Sequence, residues 1–486
     1  MISRKELLSK LNEFEKKYPV NEWIYDNVWV WPLIKIDFFF RVVAAENRDA
    51  MLPKTKKKVS IPKKVKFTIK SIIHLIFLWL KRPDKTPTIL FSDSRAYRID
   101  YNNAFIDRYF QPMFDWLELN RSGWKSLTLS DDVQFNLYPK NELIFFSYKY
   151  HYVGVLFQKL RKKNKKFDAL HFNEFKSFLK YTELGDDIPF YENRIKEMIS
   201  EIKATKVFTD LIFKKYNIKK VFELCYYSNL RYAVNLSARE NNIETIEIQH
   251  GGMGPEHVSY SGWNKVPEQG YNIFPKTFWT WDRASFDLIN TWILEQNYHK
   301  VICGGNPWID YILSYRDKGN FIFPKNKKII LYTMQYAAIE DYILEAIKDT
   351  PAGYQWWLRL HPRKTEAKAH ILDRLKANRL DRIVEIEKAT AYPLPVILMH
   401  SAIHLSGSSG SIIEAAQLGV TSLILEKAGQ YYYQSYVKQG IAIPETNHSA
   451  TNLLEKIRQY SEKKVEDISK IYNKRFDIVL EKLMEN

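Results

Sequence analysis

Four short stretches carry side chains that could hold a phosphate or move a proton. In HLSGSSGSIIEAAQLGVTSLILE (404–426) a strand runs into a Gly/Ser turn that opens a helix. Gly407 and Gly410 allow the tight bend. The hydroxyls of Ser406, Ser408, Ser409 and Ser411 then converge with backbone N–H groups at a helix start, which suits a phosphate. Ser411-x-x-Glu414 also fits a capping box, which needs no ligand. In WLRLHPRK (357–364), His361 stands at the carboxyl end of an apolar strand that Pro362 stops, with Arg359, Arg363 and Lys364 beside it. An imidazole there can donate to a phosphate or act as an acid towards a leaving phosphate; an ordinary strand-end histidine is the alternative. In IEIQHGGMGPEH (246–257), His250 is followed by Gly251, Gly252 and Gly254. Small neighbours leave the imidazole open to a cleft, where it suits general-base work near neutral pH, or else it serves only to shape the turn. CGGNPWID (303–310) is a Gly-rich turn with Asp310 early in the following helix, and helix capping accounts for most of it.

The elements that must position these residues alternate. PTILFSDS (87–94) reads as a buried strand, helical patterns carry most of the stretch to about 215, and IKKVFELCYY (218–227) and ETIEIQHGG (244–252) are strands around a helix. A second series follows Pro275: FWTWDRASFDLI is a strand passing into a helix, 300–313 is a strand, a turn and a helix start, and 327–335, 354–363, 382–388, 402–411 and 421–427 are strands. Strand–helix–strand order implies parallel sheets with right-handed crossovers, and in such sheets ligands sit at the carboxyl ends of the strands. The expected fold is α/β, with two doubly wound Rossmann-type domains facing a cleft and an N-terminal helical extension. Its expected divisions are a helical cap at 1–50, a basic linker and apolar surface helix at 51–86, Rossmann-like domains at 87–274 and 275–450, and C-terminal helices at 451–486.

At 486 residues the chain is too long for one ordinary core. The two cysteines, Cys225 and Cys303, lie in apolar strand-like stretches without a CxxC partner, as expected of reduced core thiols in a cytosolic protein. There is no signal-peptide pattern at the start and no run of eighteen apolar residues, so no membrane span is expected. The net charge of +17 points to an anionic partner. Eight lysines and no acid lie between Lys54 and Lys70, directly before SIIHLIFLWLKR (71–82). A polybasic stretch beside a short Trp-containing apolar helix reads as an anchor to an anionic membrane surface, with a solvated linker and a buried helix as the alternative. No nucleic-acid-binding motif accompanies the basic run.

Taken in order, IQHG, GGNPWID, ILYT, LRLHP and SGSSGSIIEAAQLG resemble the GT-B enzymes that build bacterial surface polymers, over roughly residues 215–430. The similarity is to CDP-glycerol glycerophosphotransferases and to the capsule Kdo and sialic acid transferases. It implies a GT-B fold and a nucleotide-activated donor, CMP- or CDP-linked, whose phosphate meets His361, Ser408 and Ser409. It places His250 at the reacting hydroxyl of a glycan or lipid-linked glycan acceptor. Ser406-Gly407 stands where glycerophosphotransferases carry Asp-Tyr, and the acidic base motif of sialyltransferases has no copy; Asp93 in FSDSRAYR is the nearest acidic candidate. The predicted nucleotide or phosphate set is Ser406, Gly407, Ser408, Ser409, Gly410, Ser411, Glu414, Arg359 and Arg363, with His250, His361 and Asp93 as catalytic candidates. No metal or other cofactor is expected: no DxD motif precedes an acceptor loop, and Asp131-Asp132 reads as a solvated pair. The sequence thus predicts a metal-independent glycosyltransferase of surface polysaccharide synthesis, cytoplasmic and peripheral on the inner membrane face. A sugar-nucleotide epimerase or hydrolase on the same fold, or a non-catalytic assembly protein, are the alternatives.

Overall fold

The computed structural model describes residues 3–46, 61–101, 104–131, 144–146, 172–181, 188–315, 320–335, 338–361, 367–463 and 476–485. Among the described residues, two parallel sheets of seven and six strands organise the chain. The first has seven strands, in the edge-to-edge order Lys300–Cys303, Thr277–Thr280, Glu244–Ile248, Asn217–Glu223, Pro87–Asp93, Lys125–Ser130 and Ile144–Phe146. The second has six, in the order Val384–Glu385, Tyr354–Arg359, Lys328–Thr333, Ser401–Ser406, Ser422–Ile424 and Ala442–Pro444. The second order is that of a mononucleotide-binding sheet wound twice from its first strand, and the first sheet follows the same scheme with one more strand. The fold is therefore GT-B-like, with two Rossmann-type domains.

The strand pairs inside both sheets are parallel. Central parallel strands are covered on both faces, which is why they read as apolar runs: Ile89, Leu90, Phe91, Leu127, Leu129, Val221 and Phe222 are fully buried, as are Ile330, Leu331, Leu358, Ile403 and Leu405. The winding direction reverses between Pro87–Asp93 and Asn217–Glu223 in the first sheet, and between Lys328–Thr333 and Ser401–Ser406 in the second.

The structure corrects one expectation and adds to another. Thr277–Thr280 pairs with Glu244–Ile248, and Lys300–Cys303 pairs with it in turn, so both strands extend the first sheet and the second begins only at Lys328. Pro275 precedes a strand of the first sheet and does not divide the domains; the long excursion between Ile248 and Thr277 resembles a linker in sequence but returns to the neighbouring strand. The stretch before 215 also holds more than helices. It contains Lys125–Ser130, Ile144–Phe146 and an antiparallel hairpin, Arg98–Tyr101 with Ala104–Asp107.

At the N-terminus, helices Arg4–Lys17 and Trp31–Glu46 flank a small hairpin and bury Trp23 and Trp31 in an aromatic cluster with Phe14 and Phe175. Lys35 and Glu15 form a buried ion pair at 2.5 Å beneath it. The C-terminal helices are Ala450–Tyr460 and Phe476–Glu485. The last returns to the first domain, packing on helix Gln111–Asn120 with Leu480 fully buried.

Candidate functional site

A cavity of about 370 Å³ lies between the domains. It opens where the carboxyl ends of both sheets face each other, beside both points at which the winding reverses, the position that doubly wound sheets offer to ligands. From the first domain come Tyr97, Arg108, Tyr109, Tyr227, His250 and His257; from the second come Gln335, Arg359, His361, Ser408, Ser409 and Glu414. The two walls touch through glycines. A side chain on Gly410 would meet Gly252 N at 2.9 Å and Gly251 Cα at 3.0 Å, so the HGG turn and the Ser turn meet backbone to backbone. Tyr432 Oη donates to the Gly252 carbonyl at 2.7 Å across the same junction.

On the first wall, His250 follows strand Glu244–Ile248. Its Nδ1 faces the Ile248 carbonyl at 3.4 Å and Glu247 Oε1 at 3.9 Å. Its Nε2 meets Cys225 Sγ at 3.1 Å and Tyr227 Oη at 3.3 Å. Cys225, two residues past strand Asn217–Glu223, takes a left-handed conformation (φ 55°), and Tyr97 Oη reaches the same sulfur at 3.2 Å. His257, also in the wall, is held neutral: burial, then the charge of His250, pushes its pKa down to about 3.

On the second wall, the Ser turn is built by hydrogen bonds of its own. Ser406 lies under it, its Oγ in a buried network with Thr333, and Thr333 Oγ1 also meets Ser411 Oγ at 2.9 Å. Ser408 N donates to Gln335 Oε1, and the Ser408 hydroxyl points to Gln335 and Glu426. The helix begins at Ser411 with Gly410 as its cap residue and no side-chain cap, so the Ser411/Glu414 capping box does not form. Glu414 instead keeps electrostatic company with Arg108 and Arg359. Arg359 is fixed by donating to the carbonyls of Ala389 (2.7 Å) and Tyr392 (2.6 Å); burial, with the charge of Arg108, lowers its pKa to about 10. Arg108 lies over the rings of Tyr109 and Tyr97, at 4.8 and 5.7 Å, and its Nε has no hydrogen-bond partner among the described residues.

The structure thus brings His250, His361, Arg359, Ser408, Ser409, Gly410, Ser411 and Glu414 to one cavity. It does not bring Asp93 there. That carboxylate is fully buried in an ion pair with Arg98 at 2.6 Å, and burial raises its pKa. Ser406 and Gly407 support the turn from beneath; a Cβ at Gly407 would collide with Glu426. Asp310 accepts from Phe476 N at 2.7 Å, a structural bond to the last helix, and Asp131 pairs with buried Arg231 at 2.5 Å. Arg363 and Lys364 lie outside the described residues. The reading from sequence missed Arg108, Tyr97, Tyr227, His257 and Gln335.

Two carboxyls beneath the site are acids by virtue of burial. Glu223 and Glu247 lie in adjacent strands, each fully buried, and burial pushes each pKa up to about 8. Oε2 of each has no hydrogen-bond partner among the described residues. A carboxyl whose folded-state pKa is raised stabilises the fold fully below its unfolded pKa and loses that contribution as pH rises through the folded value. Stability from Glu223 should therefore fall between about pH 5 and about 8. Glu223→Gln keeps an acceptor for Asn235 Nδ2 (2.9 Å) and should flatten that fall in Tm, read by thermal unfolding across the range. A slope as steep as in the parent would show that Glu223 is not the titrating acid.

No protein-family model matches the sequence, and no curated protein matches it. Solved structures do. UDP-GlcNAc 2-epimerase from Neisseria meningitidis, bound to UDP-GlcNAc, aligns at 17% identity and TM-score 0.49, over 82% of this chain and 100% of its own. The enzyme of that name from Methanocaldococcus jannaschii aligns at 13% identity and TM-score 0.49, over 82% and 99%. The wall teichoic acid polymerase TagF aligns at 11% identity and TM-score 0.47, over 88% and 98%. The fold assignment rests on the order and direction of the strands in the two sheets of this chain.

Proposed function

We propose that this chain is a GT-B transferase that moves a sugar or polyol phosphate from a nucleotide donor, CMP- or CDP-linked, to a hydroxyl of a surface-glycan acceptor without a metal ion. The observation that carries the reading is the meeting of His250 with Ser408, Ser409, His361 and two guanidiniums, Arg108 and Arg359, in one cavity. The second wall offers hydroxyl and cationic donors to a leaving phosphate, where charge develops in the transition state. The first wall offers an imidazole on the opposite side, suited to take the proton of an attacking hydroxyl.

A panel of CMP, CDP, UDP, GDP and TDP, read by thermal shift, tests the donor half. A nucleotide at 100 times its Kd stabilises the fold by about 2.7 kcal/mol, so the preferred base should stand out. Ser408→Ala with Ser409→Ala removes two hydroxyls and should weaken that nucleotide roughly tenfold with little change in the unliganded Tm. Equal stabilisation of parent and double variant would remove the Ser turn from the site, and no response to any nucleotide would favour a non-catalytic assembly role. His250 and His361, on opposite walls of the one cavity, also suit an acid–base pair acting on the sugar itself, as in an epimerase or hydrolase. Product analysis by NMR without acceptor separates these readings: an epimerised sugar or free nucleotide formed alone would overturn transfer.

A further inference from the structure

Helix Ile61–Leu80 carries apolar residues on two faces. One is used: Ser71 and Leu78 are buried and Leu75 packs partly, where the helix lies along Ile188–Lys215 of the first domain. The other is open. Ile69, Ile73, Ile76, Phe77 and Leu80 recur at the spacing of one helical stripe, which Ile72 and Trp79 widen, and their exposure runs from 38% at Ile72 to 77% at Phe77. These seven lie within twelve residues, whereas the other eight exposed large apolar side chains among the described residues are spread along the chain. A concentration of this kind marks a contact surface.

Charge names the partner. From Lys54 to Arg82 the sequence holds nine lysines and one arginine, and no aspartate or glutamate. A second copy of the chain docked face to face would oppose like charge with like. No helix among the described residues is long and apolar enough to cross a membrane. We propose that this helix lies in the plane of an anionic lipid bilayer, with Ile69, Ile73, Ile76, Phe77, Trp79 and Leu80 in the acyl boundary, and that the positive charge of the sequence 54–82 draws it to that surface. An apolar stripe and a polybasic segment are each weak anchors and together make a stable one. Because Leu78 fixes the helix to the first domain, the anchor holds that domain, with His250, at the lipid surface. The inference stands on the exposed face of the helix and the basic sequence around it, and does not depend on the chemistry of the cleft.

Flotation of the full chain with vesicles tests it, using phosphatidylcholine alone and phosphatidylcholine mixed with phosphatidylglycerol. The protein should float with the anionic vesicles only, and its apparent affinity should fall roughly tenfold or more as salt rises from about 0.1 to 0.5 M. Ile73→Ser with Phe77→Ser should lower binding roughly tenfold at an unchanged Tm, since both side chains are exposed. Lys56→Gln, Lys57→Gln and Lys58→Gln together should remove most of the salt dependence. Failure to float at low salt, or equal flotation after the Ile73/Phe77 change, would overturn the proposal. So would a concentration-dependent dimer in sedimentation that the same pair of changes dissolves, because the face would then belong to a second copy.

Discussion

Replacing His250 by alanine should slow transfer by about 10²–10⁴-fold, the range for a lost general base, while donor affinity stays within a few-fold of the parent. The imidazole lies on the wall opposite the Ser turn, so removing it takes nothing from the donor phosphate. Its surroundings suit proton uptake. Nδ1 faces a backbone carbonyl at 3.4 Å, which favours the tautomer carrying its proton on Nδ1 and leaves a lone pair on Nε2. Burial holds Glu247 protonated, and a positive charge on His250 pulls the other way, so that carboxyl is poised to ionise as the imidazole gains a proton. An attacking hydroxyl must take over Nε2 from Cys225 and Tyr227. Glu247→Gln should then reduce turnover by less than the His250 change and with no loss of donor binding. Asp93→Asn should act on stability through its pair with Arg98, with no selective effect on turnover. Donor binding by calorimetry and turnover by nucleotide release separate the effects; near-normal turnover in His250→Ala would take the residue out of the mechanism.

The residues legible in the sequence were those that announce themselves locally. A Gly/Ser turn after a strand, a histidine before a proline and a histidine before glycines each break an apolar run, and all three meet in the cavity. Arg108 breaks nothing. It stands after Asp107 at the end of a hairpin, and its place is set by stacking on Tyr97 and Tyr109, contacts with no periodic signature. Glu223 and Glu247 could have been seen. In VFELC and TIEIQ an acid interrupts a strand that central parallel sheets bury on both faces, so alternation misreads it as exposed. The domain division failed because strand order, not sequence order, decides which sheet a strand joins. Thr277–Thr280 follows a long excursion and a proline, yet its apolar edge pairs with Glu244–Ile248. Asp93 sits at a strand end beside the winding reversal, where an acid would suit catalysis, but buried Arg98 claims it.

Arg108→Met should weaken nucleotide-donor binding by roughly 10–150-fold, the equivalent of about 1.5–3 kcal/mol for one charge-assisted hydrogen bond. Arg108 and Arg359 lie close enough that the charge of one lowers the pKa of the other, and buried Glu414 is the carboxylate shared between them. Arg359 is already committed to the carbonyls of Ala389 and Tyr392. Arg108 stacks on Tyr97 and Tyr109 with Glu414 and Asp107 favouring its charge, and its Nε has no hydrogen-bond partner among the described residues. A phosphate entering between them offsets the charge of Arg108 felt at Arg359 and gives the open Nε an acceptor. Methionine keeps the unbranched stem over Tyr97 and Tyr109 and removes only the charge. The unliganded Tm should change little, in contrast to a packing defect. Arg108→Lys, which restores charge without the planar fork, should recover part of the affinity. Calorimetry with the preferred nucleotide of the panel, beside thermal unfolding of the free proteins, reads both quantities. Unchanged affinity in the methionine variant, or a drop in affinity matched by a drop in Tm, would make Arg108 a structural residue of the hairpin and leave Arg359 as the guanidinium facing the donor.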